Sequence, residues 1–148
     1  EDVAASGGYW LATAADDIEL SLRPLIRDRK ARRAEALRLL AERGLAELAD
    51  QSVYDLSGGE RQLVALTSVL AAAPSIVVAD EPTTLLDLRN TDRVRAAFAG
   101  LEQQVVIATH DLDLAADAER VLVIEDGRVA ADGEPAEAIA FYLRLVRP

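Results

Sequence analysis

No cysteine occurs in the 148 residues, which excludes a disulfide framework and a thiolate metal site. A reducing compartment is compatible with that absence. Basic charge is scarce: 16 Lys and Arg stand against 26 Asp and Glu, a net charge of −10 that no basic cluster offsets. Binding a phosphate backbone draws on grouped Lys and Arg, so no nucleic-acid partner is expected. No basic-then-apolar leader opens the sequence, and no signal peptide is read. Long apolar runs are missing too. The longest uncharged stretch, residues 62–79, is interrupted by Thr67, Ser68, Pro74 and Ser75. A bilayer-spanning helix needs about 20 mostly apolar residues. The stretch reads instead as a buried helix followed by a buried strand.

What is present is the balance of one folded domain: 51% hydrophobic and 28% charged residues, enough apolar side chains for a sizeable core. Residues 1–13 have no clear period, although Ser6-Gly7-Gly8 reads as a loop. Residues 16–22 open a short helix that Pro24 interrupts. Residues 28–43 have the period of an amphipathic helix, with Ala36, Leu37, Leu39 and Leu40 on its apolar side and Gly44 as its stop. A short helical segment follows at 45–49, then a loop over 55–59 and a helix over 60–72. The runs 75–79 and 104–108 are short, apolar and rich in β-branched residues, as strands buried on both faces are. Helices are expected over 90–99 and 113–118. Asp126-Gly127 marks a hairpin between 121–125 and 128–131, and Pro135 suits the first turn of a closing helix over 135–146. Alternating strands and helices imply an α/β fold with a parallel sheet.

Three groups of residues carry chemistry. Leu56-Ser57-Gly58-Gly59-Glu60 directly precedes a helix. Unpaired N–H groups at a helix start favour an anion, and glycines let backbone approach a phosphate. By itself the segment reads more readily as an ordinary Ser57 helix cap after a flexible turn. Asp80-Glu81 ends the apolar run 76–79, where open α/β sheets bind ligands. One carboxylate there could hold Mg²⁺ and the other could deprotonate a water. A solvated strand end is the plainer alternative. His110, the single histidine, ends the second apolar run and is expected at the same sheet edge as Asp80 and Glu81.

In order and spacing, these segments together resemble the ATP-binding-cassette (ABC) ATPase family over nearly the whole chain. Leu56–Glu60 matches its signature motif, Asp80-Glu81 its acidic strand end, Leu85-Leu86-Asp87 its D-loop, and His110 its switch histidine. The resemblance implies the C-terminal part of a P-loop NTPase domain. Residues 14–72 would form a helical subdomain, and 73–148 part of the nucleotide-binding core with a parallel sheet, a C-terminal hairpin and a helix. It implies that Asp80 lies in the Mg²⁺ shell, Glu81 is general base, and His110 contacts the γ-phosphate of ATP. Ser57, Gly58, Gly59 and Glu60 would close on ATP held by a second ATPase subunit in a head-to-tail dimer. Asp87 would act at that dimer contact; its plainer role is a helix N-terminal acid. The helical subdomain would dock on membrane-embedded transporter subunits at the cytoplasmic face of the membrane. Glu1-Asp2-Val3-Ala4, residues 110–114 and residues 125–129 look most like energy-coupling-factor importers of vitamins and metals, the biotin type above all.

The sequence departs from the family in one decisive respect. GxxxxGK[ST], whose backbone cradles phosphates and whose Lys reaches the β/γ oxygens, is absent: the one lysine, Lys30, has no glycine near it. The first glutamine, Gln51, stands too close to the signature to serve as the family's Q-loop residue. A helix terminus alone contributes about 0.3–1 kcal/mol toward an anion, which corresponds to millimolar binding or worse. These residues alone are therefore expected not to bind ATP usefully. The 77 and 106 strands are expected to lack a neighbour and to expose an apolar edge that favours aggregation or a loosened fold. Two other readings compete. An ABC-type ATPase of DNA repair or chromosome structure is compatible with Arg61 after the signature, but no long heptad stretch or basic face accompanies it. A non-catalytic docking module would not require Asp80, Glu81 and His110 together.

Overall fold

The computed structural model describes residues 13–147. The Glu1–Ala4 segment and the loop expected at Ser6–Gly8 lie outside them. The chain divides into two compact units. The first contains the described residues up to Val78 together with Thr83–Val106; the second contains Ala79–Pro82 and the chain from Ile107 onward.

In the first unit, α1 spans Ala14–Leu22, two residues earlier than its period alone indicates. Thr13 sets the start. Its side chain accepts from the Asp16 N–H while Asp16 accepts from the Thr13 N–H, satisfying two otherwise orphaned donors. Helix α2 spans Arg29–Glu42 and is capped by Asp28. A 3₁₀ turn at Ala46–Leu48 leads on to α3, Gly58–Ala71. Gly58 and Gly59 are thus the first turn of a helix and not a loop. The Ser57–Glu60 capping box begins the helix before the glycines, and two glycines are tolerated where few intrahelical bonds have yet formed. Helix α4, Leu88–Ala99, ends at Gly100.

These helices bury Ile18, Leu22, Ala36, Leu40, Leu63, Val64, Val94 and Phe98. Ser21 Oγ lies 2.9 Å from Ser68 Oγ, and Ser68 Oγ also reaches the Asp17 carbonyl at 3.2 Å, which ties α1 to α3. Thr67, fully buried, donates its hydroxyl to the Leu63 carbonyl. Arg33 joins α2 to Asp16 and Glu19 of α1 and to Asp50.

Strands β1, Ile76–Asp80, and β2, Gln104–Ala108, pair with each other. The Gln104 N–H donates to the Ser75 carbonyl near one end, and the Glu81 N–H donates to the Ala108 carbonyl near the other. Start meets start and end meets end, so the strands run parallel. Burial on both faces, expected from their composition, is not found. Val77 is buried, but Ile76, Val78 and Val106 are exposed. Among the described residues each strand has only the other as a neighbour, so apolar side chains on both are left uncovered.

The second unit holds α5, Leu112–Ala116; the hairpin of β3, Val121–Glu125, and β4, Arg128–Gly133; and α6, Pro135–Val146, which packs on that hairpin. Asp126 and Gly127 both take positive φ (47° and 72°), the turn that matches strand twist. Pro82, Leu114, Val123 and Ala138 are its buried residues.

Candidate active site

In the second unit, the end of β1 and the end of β2 bring Glu81 and His110 together. His110 Nδ1 lies 2.8 Å from Glu81 Oε1, and the His110 N–H donates to the same oxygen at 3.0 Å. An ionised carboxylate only accepts, so Nδ1 carries the proton. The Thr109 hydroxyl donates to Glu81 Oε2 at 3.3 Å, and its oxygen accepts from the Asp111 N–H at 3.0 Å. Asp111 in turn caps α5 through the N–H groups of Asp113 and Leu114.

Glu81 therefore has both oxygens engaged by a segment that α5 anchors. Its backbone sits at φ +48°, a left-handed conformation that costs a non-glycine residue energy and is typical of constrained functional positions. The hydrogen bond to Glu81, then the charge of that carboxylate and of Asp111, hold the His110 imidazole above its ordinary value; partial desolvation opposes them. The ring is 74% exposed and remains open to solvent. Asp80 ends β1 and is exposed. Among the described residues no three His, Cys, Asp or Glu side chains converge as a complete metal cage. One hard oxygen donor at Asp80 suits Mg²⁺, which keeps several waters and shares its shell with phosphate oxygens.

In the first unit, Ser57 and Glu60 form the start of α3. The Ser57 hydroxyl donates to Glu60 Oε2 at 2.6 Å, the Ser57 N–H to the same oxygen at 2.9 Å, and the Glu60 N–H to Ser57 Oγ at 3.3 Å. The Ser57 hydroxyl, then its N–H, and the charge of Arg93 hold the Glu60 carboxyl below its ordinary range. Arg61 donates to the Leu56 and Tyr54 carbonyls, so it holds the turn that precedes the helix. Asp87 caps α4 by accepting from the Asn90 N–H at 2.8 Å. Leu85 and Leu88 beside it are 98% and 86% exposed. The signature turn and the Asp87 segment meet: a Cβ on Gly58 would stand 3.2 Å from Leu86 Cδ2, and one on Gly59 would overlap the Asn90 side chain.

Two of these residues escape sequence reasoning. Thr109 carries a signal, a hydroxyl between a strand end and the histidine. Asn90 carries none, because its importance depends on how α4 packs against α3.

The family description for ABC transporters matches residues 9–84, just over half of the 148. A biotin transport ATP-binding protein of Rhizobium etli is 46% identical over 135 residues, which is 91% of this chain and 60% of that protein. An energy-coupling factor transporter ATP-binding protein of Levilactobacillus brevis is 39% identical over 91% of this chain and 50% of its own length. A dimeric ATP-binding cassette in a post-hydrolysis state bound to ADP and Pi superposes with a TM-score of 0.74 at 32% identity, covering 85% of this chain and 58% of that one. A cbiO1 structure from Clostridium perfringens, part of a cbiONQ transporter complex, gives 0.75 at 26% identity over 93% and 59%. The chain spans about three fifths of the length of the biotin-transport relative. With the parallel strand pair, the acid–histidine strand ends and the glycine-led helix, these likenesses give an α/β fold that is part of a P-loop NTPase domain, and the chain belongs to the ABC transporter family.

Proposed function

We propose that these residues are the signature- and switch-bearing part of an ATP-hydrolysing subunit that powers a membrane importer of the energy-coupling-factor kind, with biotin as the favoured cargo. The observation that carries the reading is the 2.8 Å Glu81–His110 contact at the paired strand ends. In this reading a base and a proton donor stand within reach of one bound phosphate. Glu81 takes a proton from a water whose oxygen attacks the γ-phosphorus, as the bond from that phosphorus to ADP breaks. His110 orients Glu81 through Nδ1, leaving Nε2 of the exposed ring to meet a γ-phosphate oxygen. Thr109 keeps the carboxylate from rotating away. Asp80 would hold Mg²⁺, which when bound neutralises charge on the phosphate oxygens. Ser57, Gly58, Gly59 and Glu60 present the positive end of α3 to the nucleotide of a second subunit. Asp87, flanked by exposed Leu85 and Leu88, meets that subunit head to tail.

The phosphate grip comes from polypeptide outside these residues, since no GxxxxGK[ST] lies within them. Among the described residues no helix is long and apolar enough to cross a membrane. Membrane attachment in this reading is peripheral, at the cytoplasmic face, through transporter subunits that the α1–α3 helices engage. A biotin or energy-coupling-factor role rests on the names of the relatives, and it is checked by co-purification with membrane-embedded transporter subunits. The ATPase reading is checked by Glu81→Gln in the complete cassette, these residues together with a phosphate-gripping segment. That variant should sediment as a dimer in Mg-ATP and as a monomer in Mg-ADP; a monomer in both would refute the composite site.

A further inference from the structure

We propose that Asn90 is a positioning residue that locks the signature turn to the Asp87 segment, so that both meet a neighbouring subunit as one rigid piece. The inference rests on the reading of Ser57–Gly59 as a γ-phosphate contact and of Asp87 as a subunit contact. Gly59 is buried at the second position of α3, and the space a side chain would fill there is taken by Asn90: an added Cβ would overlap its Cβ, Cγ and Oδ1. Gly58, one residue earlier, has Leu86 across from it, with an added Cβ at 3.2 Å from Cδ2. Glu60, one residue later, feels the charge of Arg93.

The start of α3 thus meets Leu86, just before α4, and Asn90 in its first turn, while Arg93, three residues on and on the same face of α4 as Asn90, acts on Glu60 by charge. Asn90 is itself fixed, because its N–H is held by Asp87 Oδ1 at 2.8 Å in the first turn of α4. Neither glycine has positive φ. Close approach between the two segments, and not a special backbone conformation, is what leaves room for glycine alone at 59. A shift of the Asp87 segment must therefore carry the glycine turn with it. Removing the Asn90 amide leaves the turn free to move without its seat.

The test uses the Glu81→Gln complete cassette and the ATP concentration that gives half-maximal dimer in sedimentation. Adding Asn90→Ala should raise that concentration about tenfold or more. Nucleotide binding to the monomer, read with a fluorescent ATP analogue, and the melting temperature should stay close to the parent. Gly59→Ala should abolish the dimer, and combining it with Asn90→Gly, which removes the overlapping Cβ as well as the amide, should recover it at least in part. The inference is overturned if Asn90→Ala dimerises at the parent's ATP concentration, or if that combination does no better than Gly59→Ala. A parent that never dimerises in ATP sinks the composite site itself and this inference with it, an outcome distinct from either of those.

Discussion

At the residue scale the account turns on one carboxylate and one imidazole. Protonated His110 gains a partner in Glu81, so its folded value lies above the free value of 6.5. The pair's contribution to stability is complete below pH 6.5 and is lost as pH rises through the higher folded value. Glu81→Gln removes the carboxylate charge and leaves a weaker acceptor. The imidazole proton signal, assigned by its loss in His110→Ala, should therefore titrate at lower pH in Glu81→Gln than in the parent cassette. Equal titration in both would show that the 2.8 Å contact does not persist in solution. The meeting of Glu81 and His110 was legible because each follows an apolar run, and parallel pairing brings such ends to one edge. The role of Thr109 in filling the second oxygen of Glu81 was not legible, because a threonine after a strand has many possible partners.

At the element scale, β2, β3 and α6 have the bounds their periodicity and turn residues indicate. Local chemistry decides those bounds: a β-branched run, an Asp-Gly turn, a proline at a helix start. The start of α3 was less legible. Two adjacent glycines weigh toward a loop by intrinsic preference. The capping box at Ser57 and Glu60, and the packing of Gly59 on Asn90, outweigh them. The exposure of Ile76, Val78 and Val106 was hidden from composition, which reports what a strand can bury, but the missing GxxxxGK[ST] segment already indicated strands without a neighbour and a bare apolar edge. Helix α1 is held by packing on α2 and α3, and Ile18 at its centre is fully buried. Ile18→Ala removes three carbons from a site closed on all sides, and should lower stability by about 2–5 kcal/mol in urea unfolding of the complete cassette. A loss below about 1 kcal/mol would show that α1 is not packed as described.

At the scale of the whole molecule, the two units differ in what they bury. The first has a core shared among α1, α2, α3 and α4, whereas the second buries Pro82, Leu114, Val123 and Ala138. Glu81 and His110 belong to the second unit, and the Ser57–Gly59 turn and Asp87 to the first. Both sets act, in this account, on phosphates that other polypeptide holds. Calorimetric titration of the 148 residues alone should accordingly show no micromolar binding of Mg-ATP; a helix terminus supplies about 0.3–1 kcal/mol toward an anion, far from the roughly 8 kcal/mol that micromolar affinity needs. The most direct measurement is steady-state ATP hydrolysis by the complete cassette with Glu81→Gln. Loss of a general base should lower kcat by about 10²–10⁴-fold, with nucleotide affinity held within a few-fold of the parent. An unchanged kcat would contradict the account at its centre, because the carboxylate that His110 and Thr109 hold in place would then not be the group that activates water.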